Sequence, residues 1–167
     1  MGPHNSSSSF PDVLQIRTER DSLRYVKQST LFAVHGSLPN YLKTAVELVL
    51  EGNAITICRG EPLPSADLPT SLKITPVYAL DHHGPLAVPT GQIFIRFTPD
   101  VKSEECRGNL VDHGYTIVQI PSYAPNTAWV QATNGDIATS LLNIEQLNGL
   151  PGVVNVEPQL LMQRKSR

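Results

Sequence analysis

Cysteine is scarce in this chain of 167 residues: Cys58 and Cys106 are its only two. They lie too far apart in sequence to form a disulfide framework or a zinc-ligand set, and two small semi-buried thiols are the expectation. Also missing is any apolar run approaching the length of a membrane span. The opening segment, MGPHNSSSSF, lacks the basic start and apolar core of a secretory signal. These absences make a cytoplasmic location the default expectation, with export by another route, or as part of a larger precursor, the alternatives. Basic runs are absent outside the RKSR at 164–167, and a formal net charge of -2 removes the electrostatic case for nucleic acid. Neither a Gly-rich phosphate loop nor a dinucleotide fingerprint is present. No nucleic-acid partner, no membrane and no cofactor are therefore expected, although self-association stays open.

What the chain does have is strand-like punctuation. After a Ser-rich leader over 1–10, expected to be disordered, DVLQIR (12–17) and LRYVKQ (23–28) read as a hairpin across the polar ERD. TLFAVHG (30–36) reads as a buried strand ended by glycine. Pro39 at a start, apolar Leu42, Ala45, Val46, Val49 and Leu50, and Gly52 at an end predict an amphipathic helix, followed by the strand AITIC (54–58). The Pro-rich EPLPSADLPTS (61–71) reads as a connector. KITPVYAL (73–80) follows, and DHHGP turns the chain back through LAVPTG. The expected organisation is an α+β N-terminal unit over 11–80, a hairpin or connector over 81–91, a second domain over 92–163 and a tail over 164–167.

The second half orders its segments as strand, helix, strand, strand, helix, strand: IFIRF (93–97), KSEECRGNLVDHG, YTIVQI, TAWVQA, DIATSLLNIEQLNG, VVNVEP. That order predicts a split β-α-β arrangement, a four-stranded antiparallel sheet with two helices on one face. Alternation assigns the faces. Ile93, Ile95 and Phe97, with Ala128, Val130 and Ala132, and with Val154 and Val156, should face the helices. Helix one should start near Ser103, stop at Gly114 and bury Cys106, Leu110 and Val111. Helix two should be capped by Asp136 and bury Ile137, Leu141, Ile144 and Leu147. The opposite sheet face then carries Phe94, Arg96, Trp129, Gln131, Asn155 and Glu157. Aromatics and Arg on an open face suit a protein contact; the alternative is that the N-terminal unit folds over them and makes them core.

The wording of the same segments carries more than their order. Phe97-Thr98-Pro99-Asp100-Val101 with Glu104 and Glu105, and Leu150-Pro151-Gly152-Val153 with Val156-Glu157-Pro158, make the C-terminal half resemble the propeptide domain of subtilisin-like serine proteases. The resemblance implies an α+β fold, ferredoxin-like over 91–163, and a role as inhibitor and folding chaperone of such a protease. It implies no catalytic residues. In that family the open sheet face docks on two surface helices of the protease, and the chain beyond strand four enters the active-site cleft as a product-like strand. The corresponding tail here begins Gln159, Leu160, Leu161, Met162, Gln163, Arg164. A propeptide normally precedes its enzyme, so the resemblance implies either a stand-alone inhibitor acting in trans or part of a precursor. The N-terminal unit is extra to the minimal propeptide.

The residues themselves point away from catalysis. The Asp, His and Ser motifs of a subtilisin-like enzyme are missing. His35-Gly36-Ser37, His82-His83-Gly84 and His113-Gly114 read as histidines where an element ends at glycine. Asp81, His82 and His83 crowd one turn, where adjacent rings rarely reach one ion, so no metal is expected. Cys106 and His113, seven apart on one predicted helix, lie about 10 Å apart along its axis, too far to act as a pair. Two other classes remain as alternatives. An ACT-like small-molecule regulatory module shares the strand order and would bind ligand between Thr98 and Ser103, where the glycine for close approach is lacking. A scaffold domain would use the open face for a partner that is not a protease.

Overall fold

Nine strands take up about half of the described residues, and the structure, a computed structural model, describes residues 10–17, 20–50, 54–61 and 72–162. The fold is α+β, with antiparallel registers wherever strands are aligned residue by residue. The chain divides into two compact units, one built from residues up to 15, 22–89 and from 160 onward, the other from 16–21 and 90–159.

In the first unit, β1 (Val13–Arg17) pairs with β2 (Ser22–His35), as the hairpin expectation holds. β2 is longer than the two segments read from the sequence, because LRYVKQ and TLFAVH form one strand. Its register against β5 (Lys73–Leu80) shifts between Gln28 and Phe32, opposite Val77 and Pro76. Pro76 has no N–H to give the ladder, and the extra residues on β2 bulge out beside it. β3 (Val46–Leu50) and β4 (Ile55–Arg59) complete the order β3-β4-β2-β5, and β5 pairs on with the start of β6 (Leu86–Phe97) through the turn at 81–85.

The helix expected from Pro39 to Gly52 is not formed. Only Asn40–Ala45 coils, as a 3-10 turn without a side-chain cap, and Val46–Leu50 runs on as a strand paired to β4. Alternate burial of Val46, Leu48 and Leu50, with Glu47 and Val49 facing solvent, shows period two winning over period 3.6. Four β-branched or γ-branched apolar residues in five satisfy either pattern; pairing with Ile55–Cys58 decides. At the N-terminus, Phe10 is buried rather than part of a disordered leader, and the Tyr78 hydroxyl donates to the Pro11 carbonyl at 2.6 Å. Residues 1–9 and the connector from 62 to 71 lie outside the described residues.

In the second unit the strand order is β9-β6-β8-β7, with β7 Tyr115–Gln119, β8 Thr127–Ala132 and β9 Val153–Met162. A 3-10 turn at Ser103–Cys106 and α1 (Arg107–Asp112) connect β6 to β7; α2 (Ile137–Leu142) and α3 (Ile144–Asn148) connect β8 to β9. Ile93, Ile95 and Phe97 pack with Ala128, Val130, Leu110, Tyr115, Leu147 and Val156 in one buried cluster, as the alternation requires. Asp136 caps α2 by accepting from the Thr139 N–H at 3.1 Å. Gly91 takes φ 90°, and a Cβ there would sit 3.0 Å from Ile137 Cγ1, so the strand can pass this helix only without a side chain.

Three expectations for this unit need correction. Val111 is exposed, because α1 ends at Asp112 and only its Leu110 face meets the sheet. Helix two breaks at Asn143 into α2 and α3, and its side chain donates to the Thr139 carbonyl. Val154 faces solvent while Val153 packs on the core. The Leu150–Val153 turn, closed by the Val153 N–H on the Leu150 carbonyl with Gly152 at φ 80°, delays the alternation until Val156.

Candidate functional site

The sheet face turned away from the helices of the second unit is built by register. Phe94 stands opposite Trp129, and Arg96 opposite Thr127, so every second residue of β6 and β8 shares that face. The Phe94 and Trp129 rings meet with centroids 5.2 Å apart at 60°, the tilted geometry that aromatic quadrupoles favour. Both are half-buried, and Arg96 beside them is exposed. Arg96 makes no ion pair among the described residues. Gln131 extends the row and pairs with Thr116 on β7. On β9, the Asn155 amide donates to the Glu157 carboxylate at 3.1 Å, which orients both side chains.

Sequence reasoning missed two exposed apolar side chains of the same unit. Val118 is 45% exposed on β7, in the outward register of Thr116, where a bulge interrupts pairing to β8. Tyr123 is 90% exposed at the tip of the β7–β8 loop. That loop is tied at several points. Phe97 and Asn126 exchange bonds, with the Phe97 N–H donating to the Asn126 carbonyl at 2.8 Å and the Asn126 amide donating to the Phe97 carbonyl at 2.9 Å. The Ser103 hydroxyl donates to the Thr127 carbonyl at 2.7 Å. An aromatic in a Pro-Ser-Tyr-Ala-Pro turn was the available signal: turn chemistry fixes the backbone and sends the ring outward.

The expected tail is placed differently from the expectation. Gln159 to Met162 belong to β9 rather than following it. The Thr90 hydroxyl donates to Gln159 Oε1 at 2.8 Å. Leu161 packs against the apolar cluster of the first unit, and the buried Tyr25 hydroxyl donates to Met162 Sδ at 3.4 Å. Gln163 and Arg164 lie outside the described residues.

Elsewhere, His35 and His113 are engaged in hydrogen bonds at the ends of their elements. His35 ends β2, shares a 2.9 Å hydrogen bond with Thr75, and is held down at about 4 by burial and, secondarily, by the Lys73 charge. His113 caps α1, with Nδ1 on the Asn109 carbonyl at 2.8 Å. Burial pushes both cysteine thiols up, Cys106 with help from Glu105, which favours the protonated form over the nucleophilic thiolate. No cluster of three or more His, Cys, Asp or Glu side chains positioned for a metal occurs among the described residues. No described helix is long and apolar enough to cross a membrane. Comparison with protein-family models, curated proteins and solved structures finds no match.

Proposed function

We propose that this protein is a propeptide-like inhibitor and folding chaperone of a subtilisin-like serine protease, with residues 90–159 as the ferredoxin-like split β-α-β domain. The strand order β9-β6-β8-β7, with helical connections between β6 and β7 and between β8 and β9, supports that fold. The observation that carries the function is the tilted Phe94–Trp129 pair, half-buried beside an exposed Arg96 on the face its own helices leave uncovered. An apolar pair ringed by polar groups is the anatomy of a contact surface, and Trp and Arg are the residues whose truncation costs interfaces most. The Phe-Thr-Pro-Asp and Leu-Pro-Gly-Val segments direct the choice of partner to the subtilisin-like proteases. In the family that these segments resemble, docking by this face brings the chain after the last strand to the active-site cleft, where product-like occupancy inhibits without any catalytic group on the inhibitor.

Residual activity of a panel of subtilisin-like proteases, titrated with the purified chain and its Trp129→Ala variant, tests this. Saturable inhibition should weaken about thirtyfold in the variant, the equivalent of about 2 kcal/mol, while its far-UV spectrum and unfolding midpoint stay close to those of the parent. Unchanged inhibition by Trp129→Ala would move the contact off this face. A panel wholly untouched by the folded parent would end the inhibitor reading.

A further inference from the structure

Resting on the inhibitor reading, we infer that the protease surface on which the sheet face of the second unit docks presents a carboxylate, seated against Arg96 beside the aromatic pair. Arg96 is not at the rim of that face. It stands opposite Thr127 on β8, and β6 also pairs with β9 on its other side, where the Thr98 N–H donates to the Gly152 carbonyl at 2.9 Å. Phe94 precedes Arg96 by two positions on the same side of the strand, a spacing of about 7 Å. A stable contact covers about 800 Å² on each partner, so a protease seated on the Phe94 and Trp129 rings covers Arg96 as well. The chain supplies this cation with no acceptor of its own. Among the described residues Arg96 makes neither an ion pair nor a side-chain hydrogen bond. Glu157, the carboxylate of the same face, is tied to the Asn155 amide at 3.1 Å. Gly152 meets Thr98 and Gln159 meets Thr90, so β9 runs antiparallel to β6 and Glu157 sits about 10 Å from Arg96 along the strands. Covering an unpaired guanidinium removes its water without replacement, whereas a carboxylate meets its planar fork with two charge-assisted hydrogen bonds. A cation at that point of the protease would be repelled. The aromatic pair therefore supplies affinity toward an apolar surface, and Arg96 selects among the proteases that carry one.

The parent chain, Arg96→Met, Arg96→Lys and Trp129→Ala are titrated into subtilisin-like proteases that differ in whether an acidic residue lies on the two surface helices used for docking in the resembled family. Arg96 is exposed, so Arg96→Met should keep the unfolding midpoint of the parent. Inhibition of the acid-bearing proteases at low ionic strength should be about tenfold or more weaker for Arg96→Met, and less weakened for Arg96→Lys, with the gap to the parent narrowing as salt is added. Proteases without that acid should be inhibited less by the parent, and to the same degree by Arg96→Met. Equal inhibition of the whole panel by the parent and Arg96→Met overturns the carboxylate, and Trp129→Ala, still weakened in the same assay, then keeps the inhibitor reading on this face. A folded parent that inhibits none of the proteases removes both.

Discussion

In the second unit the core lies on one side of its strands, against α1, α2 and α3, and the other side carries Phe94, Arg96 and Trp129. The first unit has no α-helix among its described residues, yet β4, β5 and the second half of β2 are buried on both sides. On β2, Ala33 joins the cluster of Ile57, Val77 and Val88, while its neighbours Phe32 and Val34 join the cluster of Leu42 and Cys58. Strands buried on both faces read as unbroken apolar runs, such as LFAV and ITIC, and lose the period-two signal that identifies a face. One-sided burial leaves that signal in the sequence, and with it an exposed face free to recognise something else.

The largest effects should come from making cavities in the two cores. Ile95→Ala and Ile57→Ala, both at fully buried positions, should each cost about 2–5 kcal/mol in denaturant unfolding. Amide exchange should assign the first loss to β6 and β8 and the second to β4 and β2. A cost below about 1 kcal/mol for Ile57→Ala would break the comparison by showing that the first unit is loosely packed.

Acid should separate the units next. His35 is held at about 4, below its ordinary 6.5, so the unfolded chain takes up the proton first as pH falls. The His35 contribution is complete above about 6.5 and declines toward pH 4, where it is lost, a change on the order of 3 kcal/mol. The second unit has only the exposed His113 among its described residues. Urea midpoints followed between pH 7 and pH 4 should fall for the first unit, and His35→Leu should flatten that dependence. A variant that keeps the full slope would place the acid sensitivity elsewhere.

The smallest effect sharpens the contrast between the segment that became a helix and the one that did not. Asp136 caps α2 through its side chain, whereas the turn at Asn40–Ala45 has Pro39 ahead of it and no such bond. Asp136→Ala should cost about 1 kcal/mol, read as faster exchange confined to the first turn of α2. An unchanged exchange rate there would mean that packing of Ile137 and Leu141 holds the helix end without its cap.

Much of the second unit was readable locally. Ile93, Ile95 and Phe97 alternate over a whole strand, Asp136 announces a helix start, and Gly114, at φ 85°, marks a helix end. The candidate face followed from the same alternation together with the expected strand order, which made strands one and three neighbours and so placed Phe94 and Trp129 together before any register was known. Tyr123 and Val118 were not found, because exposure at a loop tip or a bulge depends on which neighbours fail to cover it. Leu161 was misplaced for the converse reason, since every member of the cluster it packs against, from Ala33 to Val88, is more than seventy residues away in sequence.

The sequence by itself determined the positions of most strands of the second unit, the capped start of α2, the glycine stops and the chemistry of the open face. Each of these depends on residues within a few positions of one another, where side-chain periodicity and backbone sterics act without outside help. Only the tertiary structure decided that Val46–Leu50 would be a strand, that β4, β5 and the end of β2 would be covered on both sides, and that Gln159–Met162 would be anchored rather than free. Those outcomes were settled by pairing and burial between distant segments, whose free energy outweighs the small local preferences that the sequence displays.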